Sequence, residues 1–296
     1  MRYSPAAFDP CASIGKAGAM KRVASAMNGK AATNRSGMET TRIAGFPVVT
    51  AGRQALTDRM AADCKRGPDG AGRGSVLVFD INGHGISMAG TNRAYRDALH
   101  QADMIHADGG VWVAMSRLTG TPIEERSATT DMMTDFAARC ERDGLSFYIL
   151  GGTEEVNQAF CAFLKREYPR LRIAGSRNGY FKAEQDAEVI EQIAAAKADV
   201  IWVGMGKPRE QQFSIALRRR LDHGWIVTCG GCYNYFVGEY TRAPQWMQSA
   251  NLEWLHRMAT EPRKFAWRYI TTNPHSLALG LWDVLKLKAS RSTKAR

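Results

Sequence analysis

Asp108 is the acid whose position most suggests chemistry. It closes the apolar segment Asp103-Met-Ile-His-Ala107 and precedes Gly109-Gly110, where a strand end meets a helix start. A carboxylate there can cap the helix or, as a general base, take a proton from a hydroxyl nucleophile. Three other apolar runs end in glycines, at Gly151-Gly152, at Gly204 and Gly206, and at Gly230-Gly231. Glycines at strand ends let backbone amides approach a phosphate, and they serve equally as plain turns. Gly204-Met-Gly-Lys-Pro-Arg209 lacks the third glycine of a dinucleotide fingerprint, and no P-loop motif occurs. The glycines therefore suit a phosphate-bearing ligand while departing from the standard dehydrogenase and P-loop patterns. No Asp-x-Asp pair of the kind that holds a divalent metal on a sugar diphosphate is present. A leaving diphosphate would then be balanced by basic side chains, which the Arg-rich tail can supply. Cys229-Gly-Gly-Cys232 spells a CxxC without a second ligand pair, which reads as packing rather than a zinc or redox centre.

These residues need elements to position them. Ser75–Ile81, Ser146–Leu150, Leu171–Ala174, Asp199–Val203 and Trp225–Thr228 are short, nearly continuous apolar runs of strand length. Helical patterns separate them, over residues 90–101, 153–167, 183–196 and 208–221. Thr153 with Glu154 and Glu155 behind it has the form of a helix N-terminus. Buried strands alternating with helices predict an α/β fold, a Rossmann-like, mostly parallel sheet covered on both faces. Upstream, Arg42–Val49 is strand-like, a helix runs to about Cys64, and residues 67–72 form a loop. Residues 1–40, rich in Ala, Ser, Gly and Met without a period, read as a disordered extension. The core then spans 41–245.

After Arg242 the chain turns aromatic and basic, and residues 246–296 read as a small helical C-terminal appendage. From His256 onward nine Lys/Arg face two acids, against a net charge of +11 for the 296 residues. Such a tail suits an anionic partner: nucleic acid, a phosphate-bearing ligand or a membrane surface. Leu277, Leu281, Val284, Leu285 and Leu287 share one broad helical arc, with Asp283 and Lys286 opposite. That arc fits either an anionic bilayer or the protein's own core. No apolar run approaches the roughly 18 residues of a transmembrane helix, and no signal-peptide core is present, so a cytoplasmic location is expected. A nicotinamide-dependent oxidoreductase and a basic nucleic-acid-binding protein stand as alternatives on these residues alone.

Three separated stretches occur in one order: Asn82 to Arg126, Gly204-Met-Gly-Lys-Pro-Arg-Glu-Gln211, and Arg242-Ala-Pro-Gln-Trp246 through Leu252-Glu-Trp-Leu-His-Arg257 to Glu261-Pro-Arg263. Together they resemble the WecG/TagA/CpsF family of bacterial glycosyltransferases, over about Ile43 to Arg268. The resemblance implies inverting, metal-independent transfer, without a cofactor, from a UDP-sugar to an undecaprenyl-diphosphate-linked saccharide during cell-surface polysaccharide synthesis. It implies peripheral association with the inner face of the cytoplasmic membrane and no nucleic-acid partner. Glucose, glucuronate and N-acetylmannosamine donors all fit, as does assembly into a homo-oligomer. Within the motifs, Asp108 falls on the proposed base and Asn82 on the strand-end asparagine near the reacting sugars. Arg257, Arg263 and Arg268 match arginines brought over the active site, with Lys264 an alternative to the residues around Pro262. Gly151, Gly152, Gly204, Gly206, Gly230, Gly231, Lys207 and Gln211 are expected to hold the nucleotide. Asp80, a candidate substrate-binding residue, stands where relatives often carry Thr, and as a second acid near Asp108 it can raise a pKa or face elsewhere. His84 is placed to touch substrate or to serve as a structural hydrogen-bonding residue. Glu210-Gln211 reverses the usual Gln-Glu order.

Overall fold

The computed structural model describes residues 32–34, 37–65 and 74–294. Most of the expected N-terminal extension, and the 67–72 loop, lie outside these residues. Inside the range expected to be disordered, β1 (Ala32–Thr33) and the start of β2 (Glu39–Ile43) are strands, and β2 pairs antiparallel with β3 (Phe46–Val49). The run Arg42–Val49 is thus a hairpin that turns at Ala44-Gly45, where both residues have positive φ. Helix α1 (Arg53–Lys65) follows. Its first amides are capped from a distance, Gly52 N–H by Glu124 Oε2 at 2.9 Å and Arg53 N–H by Glu125 Oε1 at 2.7 Å.

The main sheet has six parallel strands: β4 (Val76–Ile81), β5 (Met104–Ala107), β6 (Ser146–Gly151), β7 (Arg172–Arg177), β8 (Val200–Gly204) and β9 (Trp225–Thr228). They lie in the order β5-β4-β9-β8-β6-β7. Between them run α2 (Gly83–Thr91), α3 (Arg93–Leu99), α4 (Gly110–Ser116), α5 (Thr129–Asp143), α6 (Glu154–Glu167), α7 (Asp186–Ala196) and α8 (Arg209–Arg218). The apolar side chains form two clusters, one on each face of the sheet. Ile81, Ile86, Trp112, Ile201 and Phe213 belong to one; Met60, Phe136, Phe147, Trp202 and Trp225 belong to the other. This is the doubly wound arrangement that continuous apolar strands require, because both faces must be covered. Local signals end the helices as expected: Thr153 Oγ1 accepts from Val156 N–H, and Gly144 closes α5 in the left-handed region.

The short helices α9 (Tyr233–Phe236) and α10 (Gln245–Ser249) lead to the C-terminal appendage, which holds α11 (Glu253–Thr260) and the long α12 (Pro262–Lys294). α12 lies on α2, where small residues allow close contact. A Cβ on Gly83 would meet Asn273 Oδ1 at 3.1 Å, and one on Gly90 would meet Leu279 Cδ1 at 2.6 Å. Ser87 Oγ and His275 Nδ1 add a hydrogen bond of 2.9 Å. The apolar arc expected in this helix is divided differently. Asp283, opposite most of that arc, is buried, because its carboxylate pairs with Arg42 at 2.9 Å and accepts the Gly45 N–H at 2.8 Å. Val284 is buried beside it, whereas Leu277, Leu281 and Leu285 face outward with Trp267, Ile270 and Trp282.

Candidate active site

β4 and β9 are neighbours whose following helices leave toward opposite faces: Ile86 of α2 joins one core cluster and Tyr233 of α9 the other. A crevice must open at the strand ends there, and ligands of open α/β sheets bind at such points. A cavity of about 650 Å³ occupies it. Of the residues singled out in the sequence, Asp80, Asn82, His84, Asp108, Gly206, Lys207, Gly230, Gly231, Arg257 and Arg268 line it. Asp80 of β4 and the residues that follow β5, β8 and β9 thereby meet the appendage in one site.

The floor is a buried polar network. Lys207 Nζ donates to both oxygens of Asp80 at 2.7 Å, and Asp80 Oδ2 also accepts from Asn82 Nδ2 at 2.8 Å. Asn82 caps α2, its Oδ1 accepting the Gly85 N–H at 3.0 Å. Burial works against the Lys207 charge, but the Asp80 carboxylate outweighs it and keeps the ammonium protonated. Glu210 is fully buried, and its Oε2 accepts the N–H groups of Gly206 and Gly230, each at 3.0 Å. It brackets the loops after β8 and β9.

Asp108 is half-buried at the end of β5, and its Oδ1 accepts the Thr129 N–H at 3.0 Å. Burial pushes its carboxyl up, yet that amide and the charges of Arg126 and Arg257 outweigh burial and hold it below the ordinary carboxylate value. At neutral pH it is therefore an anion able to accept a proton. His84 goes the other way. Burial, reinforced by the charges of Arg268 and Lys207, lowers its imidazole to about 4, so at neutral pH it is uncharged.

The roof comes from the appendage. Glu253 on α11 pairs with Arg126 of the core at 2.9 Å and with Arg257 at 3.1 Å, pinning the appendage over Asp108. The Arg257 guanidinium lies over the Tyr235 ring at 4.9 Å, and Arg268 lies over Phe265 at 4.5 Å. The buried Nε donors of Arg257 and Arg268 have no hydrogen-bond acceptor among the described residues. Asn251 folds its side chain over Gly110, where any Cβ would collide with Asn251 Oδ1. The site thus has a carboxylate at a strand end, an asparagine beside it and a roof of arginines with unmet donors.

Residues 41–290 match the family model for the glycosyl transferase WecG/TagA/CpsF family. The chain belongs to that family. It is 31% identical over 183 residues to an N-acetylglucosaminyldiphosphoundecaprenol N-acetyl-beta-D-mannosaminyltransferase of Bacillus spizizenii, covering 62% of this chain and 70% of the relative. A Bacillus subtilis protein of the same name is 29% identical over 194 residues, covering 66% of this chain and 73% of its own.

In this member of the WecG/TagA/CpsF family several expected ligand residues are occupied elsewhere. Gly151, Gly152 and Gly204 do not line the cavity. They pack backbone on backbone across the strand ends: a Cβ on Gly151 would lie 2.2 Å from Gly204 O, and one on Gly204 would lie 2.7 Å from Gly230 O. Gly152 N–H bonds Gly204 O at 3.2 Å. The Gly206 and Gly230 amides, which do reach the site, are taken by Glu210. Gln211 is fully buried against Glu210, with Nε2 to Oε1 at 3.2 Å, and Arg263 is exposed away from the cavity. The side chain of Lys264 lies outside those described. Cys229 and Cys232 are buried free thiols whose pKa values burial raises well above the ordinary value. Among the described residues no three His, Cys, Asp or Glu side chains are grouped to hold a metal ion.

Arg126, Glu210 and Glu253 are site residues that the sequence reading left unassigned, as are the aromatic groups Tyr235, Trp254 and Tyr269. Arg126 closes the first motif stretch and Glu253 sits inside the third, so opposite charges in two motifs were the available signal. Nothing local marked them as partners.

Proposed function

We propose that the protein transfers a sugar from a UDP-sugar to a saccharide carried on a polyprenyl diphosphate, with inversion at the anomeric carbon. The acceptor hydroxyl oxygen attacks that carbon as its bond to the diphosphate oxygen breaks. The hydroxyl proton passes to Asp108, and UDP leaves. The observation that carries the reading is the pairing of an ionised Asp108 with a roof of arginines whose buried Nε donors lack acceptors. A general base and a cationic cover for the departing diphosphate are what a metal-independent displacement needs. Asn82, with a hydrogen-bonding valence to spare, is placed to hold a sugar or acceptor hydroxyl. The acceptor is inferred from the two Bacillus relatives, whose names specify an undecaprenyl-diphosphate-linked N-acetylglucosamine.

The reading extends to a membrane surface that presents the lipid-linked acceptor. No helix among the described residues is long and apolar enough to cross a membrane. The outward stripe of α12, with Trp267 76% and Leu285 60% exposed, suits insertion at the lipid boundary of the inner leaflet instead. Lys286, whose ammonium lies 5.2 Å from the Trp282 ring centre, and Lys288 suit its anionic headgroups.

The test is a panel of UDP-sugars offered with a synthetic polyprenyl-diphosphate N-acetylglucosamine, in the presence of a chelator. The expected product gains the mass of one sugar as UDP is released. Failure of every donor, or turnover that stops with chelation, contradicts the corresponding part of the proposal.

A further inference from the structure

We infer that Asp80 is a positioning residue that holds the Asn82 carboxamide in a single orientation in the active site. The kinetic consequences rest on the glycosyl-transfer reading above, and the geometry stands without it.

An asparagine amide has two ends of nearly equal shape, and its neighbours' chemistry decides which end points where. At one end of Asn82 stands the Asp80 carboxylate, which ionised can only accept; the atom facing it at 2.8 Å must be the nitrogen. At the other end stands the Gly85 amide, which can only donate; the atom facing it at 3.0 Å must be the oxygen. Both contacts demand the same orientation. They leave Asn82 one N–H and one lone-pair site to offer a ligand in the cavity it lines.

Asp80 is itself held. It is 3% exposed, and Lys207 Nζ grips both of its oxygens at 2.7 Å. Lys207 belongs to the loop after β8 and Asp80 to β4, and β9 lies between those strands in the sheet. The ion pair therefore bridges over the end of β9 and fixes one wall of the crevice to the other. Glu210 Oε1, 3.8 Å from Lys207 Nζ, draws on the same charge. Lys207 is thus committed to two carboxylates of its own chain. That assigns it and Asp80 to aiming Asn82, in place of the direct nucleotide contact expected from sequence.

The experiment removes the acceptor that faces Asn82 together with its buried counter-ion, and both variants lose the Lys207 charge beside Glu210 alike, so the comparison between them isolates the oxygen at position 80. Asp80→Leu with Lys207→Met replaces both partners by apolar groups, which folds tolerate better than loss of one. Asp80→Asn with Lys207→Met is equally uncharged but keeps a carbonyl oxygen for Asn82. Because misaimed groups cost rate more than ground-state binding, the first variant should lower kcat by about tenfold or more while KM changes less than about twofold. The second should recover most of that loss. In an Asn82→Ala background the first variant should have less than about a twofold effect, since coupled residues are not additive. Equal losses in both backgrounds, or no recovery by the oxygen-retaining variant, overturn the inference. A second readout needs no substrate: the Asn82 side-chain N–H₂ pair in a ¹⁵N spectrum, identified by its disappearance in Asn82→Ala. It should shift and exchange-broaden in the Asp80→Leu, Lys207→Met protein, and an unchanged pair overturns the inference even where Asn82→Ala has no measurable turnover. If the wild-type protein fails to turn over, the glycosyl-transfer reading falls while the spectrum still decides the role of Asp80.

Discussion

The floor and the roof of the cavity are built on opposite terms. The floor is largely closed in on itself: Asp80 bonds Lys207 and Asn82, and Glu210 holds the Gly206 and Gly230 amides, all at 2.7–3.0 Å, leaving only part of the Asn82 amide for a ligand. The roof is incomplete, with Arg257 and Arg268 keeping buried donors that no described residue meets. A finished network rigidifies, whereas unmet cationic donors await an anion. Shape is therefore set by the sheet, and charge for a ligand is supplied by the appendage. Substitutions should separate along the same line: Glu210, which braces the floor, should govern stability and the roof arginines turnover, with Asp80 acting on turnover only through the Asn82 that it aims.

The largest stability effect should come from Glu210→Ala, which strands the two glycine amides and part of the Lys207 charge. A loss of about 3 kcal/mol or more is expected in urea unfolding. Arg257→Ala should cost only about 1 kcal/mol, because its ion pair with Glu253 is partly open to solvent and Arg126 still holds that acid. Comparable losses for the two would erase the distinction.

Turnover should invert the order. Arg257→Ala and Arg268→Ala should each lower kcat/KM for the nucleotide sugar by roughly 10- to 100-fold, the worth of a charge-assisted hydrogen bond. Lysine at either position should restore only part of this, since it lacks the planar fork. Steady-state kinetics at two salt concentrations checks it. Unchanged kinetics would mean that the roof does not touch the leaving group.

A gentler probe is pH. Unfolded, His84 binds its proton near 6.5; folded, it does so at about 4. Between those values the unfolded chain holds more protons, so His84's contribution is full above pH 6.5 and is lost as pH falls toward 4. His100 and His106 are lowered by burial in the same direction. Thermal midpoints should fall across that window, and His84→Gln should flatten part of the slope. A midpoint insensitive to pH there would contradict the assignment of a neutral, half-buried imidazole.

The smallest effect on the fold should come from the outer stripe of α12. Trp267→Ser with Leu281→Ser should leave unfolding within about 0.5 kcal/mol of wild type, as surface changes do, while weakening binding to anionic vesicles in sedimentation. Equal vesicle binding would send the search for the membrane contact elsewhere.

Legibility in the sequence followed the reach of the forces involved. Strands such as Trp225–Thr228, and the Thr153 cap, were readable because apolar runs and capping residues act over a few positions. The place of Asp108 was readable for the same reason, as a strand end against Gly109-Gly110. Helix α5 carries no local signal: Thr129–Asp143 is polar on its outer face, its N-cap residue Ala128 has no capping side chain, and Asp108, Arg53 and Arg242 reach it from far along the chain. The glycines fit a phosphate cradle or plain turns equally, and whether a glycine meets a cavity or a neighbouring backbone depends on strand order. Here Gly204 lies between Gly151 and Gly230. Helical periodicity sets Asp283 opposite the apolar arc but leaves open which side faces the core; a buried carboxylate is stable there only because Arg42 and the Gly45 amide meet it from the hairpin. What stayed open in each case is a long-range pairing, which a local pattern does not encode.

The most direct test of the central claim is Asp108→Asn, assayed for sugar transfer and, separately, for UDP binding by calorimetry. The amide keeps an oxygen for the Thr129 N–H, so the fold and the roof stay in place while the proton acceptor is gone. Turnover should fall by about 10²- to 10⁴-fold with UDP affinity nearly unchanged. An Asp108→Asn protein that transfers sugar at the wild-type rate would show that the proton leaves by another route and that this carboxylate is not the base.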